Sequence, residues 1–160
     1  MFSSGSAWHT SRFTRALKAP EAFPIVAQRT RYSASVSRGA LRTRRWCDPA
    51  DPDDGLRILV CRYRPRGVLK QDETWDTWLP ALGPSRELHA AFYGKRGAPI
   101  RWAEYRRRYL AEMKTQTEAI AAITARLERG ESVSLLCSSA CTDAERCHRT
   151  LLATLIAQGL

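Results

Sequence analysis

Three cysteines, a histidine and an arginine lie close together near the C-terminal end of this 160-residue sequence. The short apolar run of residues 133–136 ends in Cys137, and Cys141, Cys147, His148 and Arg149 follow shortly after it. Thiolates are nucleophiles and metal ligands, and positive charge or a helix N-terminus stabilises them. We therefore expect any chemistry of this chain to take place here.

The same segment carries the signature of a helix start. Thr142 and Glu145 have the spacing of a capping box, which predicts a small polar loop followed by a helix over residues 143–158. Cys141 would then stand just ahead of the helix N-terminus, with Arg146 nearby, where the pKa of a thiol falls. The candidate catalytic residues are Cys141, Cys147 and His148.

Two familiar catalytic arrangements do not fit the sequence. A tyrosine-phosphatase loop is excluded because Arg146 comes one position too early after Cys141, and the next position is Cys147. No serine, histidine and aspartate arrangement can be recognised. The type of reaction therefore stays open, including whether the chain is an enzyme.

A zinc site and simple packing are the alternatives for the cysteines. Three thiolates and one imidazole complete a structural zinc set, but Cys147 and His148 should point about 100° apart on a helix. We therefore expect no metal ion and no cofactor, and keep a thiol-redox or zinc-sensing module as an alternative. Burial would suit Cys61 and Cys137, since free cysteine packs well in cores. His148 could equally serve a hydrogen bond to a loop carbonyl.

A group of basic residues forms a second candidate site. Arginine offers a planar fork that suits phosphate or carboxylate, so a small anionic ligand, phosphate- or nucleotide-like, is the simplest partner. The competing explanation is that Arg62 and Arg149 form ion pairs with acidic residues and only hold loops in place. The candidate ligand-binding residues are Arg62, Tyr63, Arg66, Lys70, Cys137 and Arg149.

The predicted strands bring the two candidate groups together. Residues 40–46 read as a mostly polar edge strand, residues 57–61 as a short buried strand and residues 133–137 as the final strand. Helices between the strands imply crossovers and a mostly parallel sheet, hence a small three-layer α/β domain. Ligands of such sheets bind at the carboxyl ends of the strands. The segments 62–67 and 137–147 should meet there.

Helical spacing of apolar residues predicts the elements between the strands. A short helix is expected over residues 75–82, and Ser85 looks like the N-cap of the next short helix. A long helix is expected over residues 101–129, which could break around residues 115–117. Gly130 is its natural C-cap.

The formal charge of +10 is unevenly distributed along the chain. Residues 1–47 hold nine basic residues and one acidic residue, whereas residues 48–160 hold seventeen and fifteen, so the body is nearly neutral. We expect residues 1–37 to form a disordered basic extension and residues 38–160 a single folded domain. A basic tail can bind polyanions without sequence preference, so a nucleic-acid accessory protein is a further alternative. The arginines at 106–108 are expected to be a solvated face.

Nothing in the sequence indicates a membrane protein. No apolar run reaches the roughly 18–20 residues that cross a bilayer, and the first residues lack a secretory signal. The Arg- and Ser-rich start could be an organellar transit peptide, although we favour an over-long start. Five cysteines, three of them clustered, fit a reducing compartment, and we expect a cytoplasmic protein.

A series of short motifs runs through the chain in a consistent order: Asp53-Asp54-Gly55, Arg62-Tyr63-Arg64-Pro65-Arg66-Gly67-Val68, Leu82-Gly83-Pro84-Ser85-Arg86-Glu87-Leu88, Leu135-Leu136-Cys137 and Glu145-Arg146-Cys147-His148-Arg149. Over residues 40–158 they resemble domain-of-unknown-function family 488, whose best-known subgroup is called YeaO-like. The ending resembles the branch of that family with a Cys-His-Arg motif. Arg64 departs from the pattern, because the family commonly has tryptophan there. The resemblance implies a compact α/β domain with a pocket, and no particular reaction.

Overall fold

The sheet is four-stranded and entirely parallel. The computed structural model describes residues 37–159, and the strands lie in the order β1, β4, β2, β3. The expected mostly parallel sheet is confirmed, as is the edge position of the first strand. The expected basic extension lies outside the described residues, apart from its last position. The strands are β1 (Leu41–Arg45), β2 (Leu56–Leu59), β3 (Thr77–Trp78) and β4 (Val133–Cys137).

Four helices of seven or more residues accompany the sheet: α1 (Arg86–Phe92), α2 (Trp102–Met113), α3 (Thr117–Glu128) and α4 (His148–Gln158). Ser85 caps α1 as predicted, because its hydroxyl oxygen accepts a hydrogen bond from the Leu88 amide at 3.0 Å. The expected long helix is divided into α2 and α3, at the place where the sequence indicated that the helix could break. Gly130 follows α3 with a positive φ of 83°.

The apolar core lies between the sheet and the helices. Ile58 and Leu135 face this side, and buried side chains from all four helices pack on them. The alternate residues Leu59 and Leu136 face the other side, where they pack against Trp75. Loop residues cover this second face, so the three layers are helices, sheet and loops. β4 lies inside the sheet and is buried along its whole length.

The helix predicted over residues 75–82 is wrong. Thr77–Trp78 instead forms the edge strand β3, and a 3₁₀ turn follows at Pro80–Leu82. Backbone pairing with β2 overrides the helical spacing, since the Leu79 amide donates to the Leu59 carbonyl at 2.9 Å. Pro80 adds to this by disfavouring a helical conformation of the residue before it.

The predicted start of the last helix is also wrong. The Asp143 carboxylate accepts hydrogen bonds from the amides of Glu145 and Arg146, at 3.0 and 3.3 Å, and so forms a local turn. The helix begins only at His148, and Cys147 takes the N-cap position. Cys147, rather than Cys141, therefore directly precedes the helix.

Gly83 gives a test of how closely this fold is packed beside the end of β2. A Cβ at Gly83 would lie 2.5 Å from the Arg62 backbone nitrogen and 2.9 Å from both the Cys61 carbonyl carbon and the Val60 carbonyl oxygen. We expect Gly83→Ala to lower the free energy of unfolding by about 2–3 kcal/mol, measured by urea denaturation. Gly67→Ala is the matched control, because a Cβ there meets nothing within 4 Å and only the positive φ of 75° opposes it. It should cost about 1 kcal/mol. A smaller loss for Gly83→Ala than for Gly67→Ala would contradict this packing.

Candidate functional site

A cavity lies at the carboxyl ends of β2 and β4. The two strands are parallel neighbours, so the residues that follow them leave the sheet at the same edge. The cavity has a volume of about 140 Å³ and is lined by Arg62 and Tyr63 from one segment and by Cys137, Cys141 and His148 from the other. The two segments that the sequence predicts to meet therefore do meet.

Three of the cysteines at this cavity form a sulfur cluster, which we define as Cys137, Cys141 and Cys147. Their Sγ atoms all lie within 4.8 Å of one another, and those of Cys137 and Cys141 are 3.2 Å apart. The Sγ of Cys61 lies 4.0 Å from that of Cys137. None of the cysteines forms a disulfide. Three soft sulfur ligands this close together could bind a metal ion.

The position of Cys147 explains why the sulfurs converge. Cys147 is the extended residue before α4, with φ −129° and ψ 140°, and its side chain does not cap the helix. The expectation that Cys147 and His148 are neighbours within one helix is therefore wrong. The extended backbone lets the buried Cys147 side chain join the cluster.

Hydrogen bonds within the cluster favour a thiolate at Cys141. The Cys137 thiol donates a hydrogen bond to the Cys141 sulfur at 3.2 Å, and this bond and the neighbouring Cys147 thiol lower the pKa of Cys141, which the positive charge of Arg149 lowers further. The pKa of Cys137 is raised, first by its hydrogen bond with Cys141. For Cys147, a bond with Cys137 lowers the pKa, but the bond with Cys141 and burial outweigh it and raise the pKa overall. Of the three thiols, Cys141 is therefore the one whose surroundings favour the thiolate.

His148 is a buried part of the site. Its Nε2 lies 2.9 Å from the Val60 carbonyl oxygen, and both ring nitrogens lie 3.8 Å from the Cys137 sulfur. A carbonyl only accepts hydrogen bonds, so the proton must be on Nε2. Burial lowers the pKa of His148, which keeps the imidazole neutral. This is the hydrogen bond to a carbonyl that the sequence left as one of two alternatives.

Arg149 is a buried cation without enough partners. The residue is only 5% exposed, and its Nε and Nη1 atoms have no hydrogen-bond partner among residues 37–159. The competing explanation, an ion pair between Arg149 and an acidic residue, does not satisfy those two atoms. A buried charge of this kind normally needs a negative partner.

The basic residues of the first segment occupy different places. Arg62 lines the cavity, and its Nε donates to the Pro84 carbonyl at 2.6 Å rather than to a carboxylate. Arg66 lies in an adjoining depression with Ser138. Lys70 does not join them, because its ammonium pairs with Glu73 at 2.9 Å on another part of the surface. The expected grouping of Lys70 with Arg62 and Arg66 is therefore not observed.

Sequence reasoning did not select three further side chains that line the cavity. Arg146 comes from the loop before α4, and its position near Cys141 in the sequence was the available signal. His89 and Tyr93 come from α1 and the residue that ends it, with ring centroids 4.7 Å apart, and Tyr63 meets His89 edge-on at 5.2 Å. Burial lowers the pKa of His89. No local pattern marks α1 as a wall of the cavity.

The arginines at 106–108 form an exposed face of α2, as expected. Arg107 and Arg108 both pair with Glu104, at 2.7 and 3.0 Å. Two of the three charges are thus partly neutralised by a neighbour on the same helix. Within residues 37–159, no helix has both the length and the apolar content that a membrane span requires.

Fold and cavity together define an α/β domain with a parallel sheet and a cysteine-lined cavity at the carboxyl ends of its strands. Residues 41–160 match the family described as the active DUF488-N3 subclade, DUF488-N3a. The chain belongs to this family, and the resemblance noted in its motifs is confirmed.

Similar proteins occur in several bacteria. YeaO of Escherichia coli K12 is 42% identical over 73 residues, which are 46% of this chain and 61% of YeaO. Mb3100c of Mycobacterium bovis and Rv3073c of Mycobacterium tuberculosis H37Rv are each 35% identical over 78 residues, which are 49% of this chain and 64% of theirs. All three are uncharacterised, and the matches span less than two thirds of each relative. No solved structure matches this chain.

The electrostatics of the cluster predict an unusual pH profile for the alkylation of Cys141. An ordinary thiol has a pKa of about 8.5 and slows roughly tenfold per pH unit below it. The lowered pKa of Cys141 should keep the thiolate populated, so that its reaction with iodoacetamide in reduced, metal-free protein persists below pH 7. Peptide mass spectrometry would follow each site, with the exposed Cys47 as the reference cysteine outside the cluster.

Two variants act as controls for this measurement. Cys141→Ser should remove the reaction at low pH, whereas Cys47→Ser should leave it intact. If Cys141 slows with falling pH in the same way as Cys47, the thiolate assignment is wrong.

Proposed function

We propose that this chain binds a small anionic ligand, phosphate- or nucleotide-like, in the cavity, where the thiolate of Cys141 is the reactive group that the ligand meets. One observation carries the proposal. Two arginines and the sulfur cluster line the same cavity, and none of its described lining residues is a carboxylate. A small anion entering it meets two cationic hydrogen-bond donors, which offset the charge of the Cys141 thiolate, and no carboxylate of the lining adds to that charge.

The two arginines support this proposal in different ways. Arg62 is held in place by the carbonyl oxygens of Pro84 and Gly83, at 2.6 and 3.4 Å, through Nε and Nη2. These bonds do not use Nη1, and a guanidinium fixed in this way loses little freedom on binding an anion. Arg146 is exposed and comes from the other segment, in the loop before α4. Together they could grip one anionic group from two sides.

The aromatic wall supports a ligand with a planar part. Tyr63 and Tyr93 are each about half exposed and flank His89 at the cavity. Aromatic faces of this kind stack well on heterocycles such as nucleobases. Arg66 lies in the adjoining depression, where a longer ligand would reach it.

The thiol chemistry supports distinct roles for the remaining candidates. Cys141 would act as the nucleophile, and Cys147 would stabilise its thiolate through a hydrogen bond. His148 would act as a positioning residue, because its Nε2 is engaged by the Val60 carbonyl. Free thiols persist in a reducing compartment, which agrees with a cytoplasmic location.

Removing the exposed arginine tests the proposed ligand site without disturbing the core. Inorganic phosphate, ribose 5-phosphate and AMP would be added separately to wild-type protein, Arg146→Ala and Arg106→Ala, and the melting temperature measured by scanning fluorimetry. At least one probe should raise the melting temperature of the wild type, since a ligand that binds only the folded state stabilises it. Loss of a charged hydrogen bond in Arg146→Ala should weaken that binding by about 10- to 100-fold.

Arg106→Ala is the matched control, because it removes the same charge from the exposed face of α2, away from the cavity. It should bind each probe as the wild type does. The proposal fails if no probe stabilises the wild type, or if the two variants lose stabilisation equally. Ribose 5-phosphate and AMP separate the contribution of the anion from that of a nucleobase.

A further inference from the structure

The sulfur cluster has the spacing of a metal site. In a tetrahedral zinc–thiolate site the sulfurs lie about 2.3 Å from the metal and hence about 3.8 Å from one another. The three Sγ atoms here all fall within 4.8 Å, and the shortest separation is 3.2 Å. Side-chain adjustments of about half an ångström would therefore give all three sulfurs the distances that zinc requires.

The backbone presents these three sulfurs from fixed positions. Cys137 is the last residue of the buried strand β4, and Cys147 immediately precedes α4. Cys141 lies in the loop between them and is the least buried of the three. Two ligands on rigid elements with a third on a loop can adjust to an ion while keeping its position defined.

Charge gives an independent argument that this cluster takes a cation. Three thiolates around a divalent ion carry a net charge of −1. Beside them lies Arg149, a buried cation whose Nε and Nη1 have no partner within the described part of the chain. Burying a charge costs free energy unless a neighbouring charge of opposite sign offsets it. A metal–tricysteinate centre would add a second negative charge near Arg149 to that of the Asp48 carboxylate.

We propose that Cys137, Cys141 and Cys147 bind a thiophilic divalent cation, zinc above all, with Arg149 as the buried counter-charge of the centre. His148 is not a ligand of this centre. It contacts Cys137 beside the centre, and its Nε2–H is engaged by the Val60 carbonyl. Three protein ligands leave one position of a tetrahedral ion for water or for a molecule in the cavity, which is the pattern of a reactive zinc site. The centre does not depend on the anionic ligand proposed above.

Zinc titration of the reduced full-length chain tests this proposal. Competition with a chromophoric chelator and native mass spectrometry should show one tightly bound zinc ion per chain. Loss even of an outer partner of a metal site costs 10- to 100-fold in affinity, so Cys141→Ser and Cys147→Ser should each cost about 100-fold or more. Cys47→Ser, at an exposed position outside the cluster, should bind zinc as the wild type does.

Two further readouts address Arg149 and keep the test decisive if a cysteine variant misfolds. Arg149→Gln should weaken zinc binding by about tenfold, while Arg149→Lys should retain more of it, because only the charge is needed. In the wild type, zinc should protect Cys141 from iodoacetamide and leave Cys47 reactive.

The proposal is overturned if no zinc binds at one equivalent, if Cys141→Ser binds zinc as tightly as the wild type, or if zinc leaves Cys141 alkylation unchanged. Stabilisation by phosphate or AMP in metal-free protein would be unaffected by such a result. The failure of the metal site and the failure of the anion site can therefore be told apart.

Discussion

The hydrogen bond between the His148 imidazole and the Val60 carbonyl joins the start of α4 to the end of β2. This hydrogen bond connects the two candidate segments at the carboxyl ends of β2 and β4. Because it fixes His148, it also fixes the residues on either side, so that Cys147 enters the cluster and Arg149 is buried beside it. Together with the pairing of β2 and β4, this contact between distant parts of the chain positions the lining of the cavity.

The charges of the site follow from the same arrangement. Burial keeps His148 neutral. The buried positive charge nearest in sequence to the three cysteines is therefore that of Arg149. Thiols are the only groups of the cluster that can supply a negative charge, and they do so most readily at Cys141. A thiolate in the metal-free protein and a metal–thiolate centre are thus two ways of balancing the same buried arginine.

The sequence was most informative where one local pattern decides the structure. The apolar run that ends at Cys137 marks β4, and parallel topology then places its end beside that of β2. The sequence was misleading where other contacts compete with the helical spacing of apolar residues or with a capping motif. Pairing with β2 keeps residues 75–82 from forming a helix, and Asp143 forms a turn where a helix cap was predicted. His89 could not be found, because it reaches the cavity only through the packing of α1.

The protonation state of His148 tests the account most directly. Nuclear magnetic resonance of the 15N-labelled imidazoles can follow it between pH 5 and pH 8, with a His148→Gln variant to assign the signals. The account predicts that His148 keeps its proton on Nε2 and gains a second proton only at a lower pH than an ordinary histidine. An imidazole that gains a proton with the ordinary pKa of about 6.5, or that carries its proton on Nδ1, would contradict it.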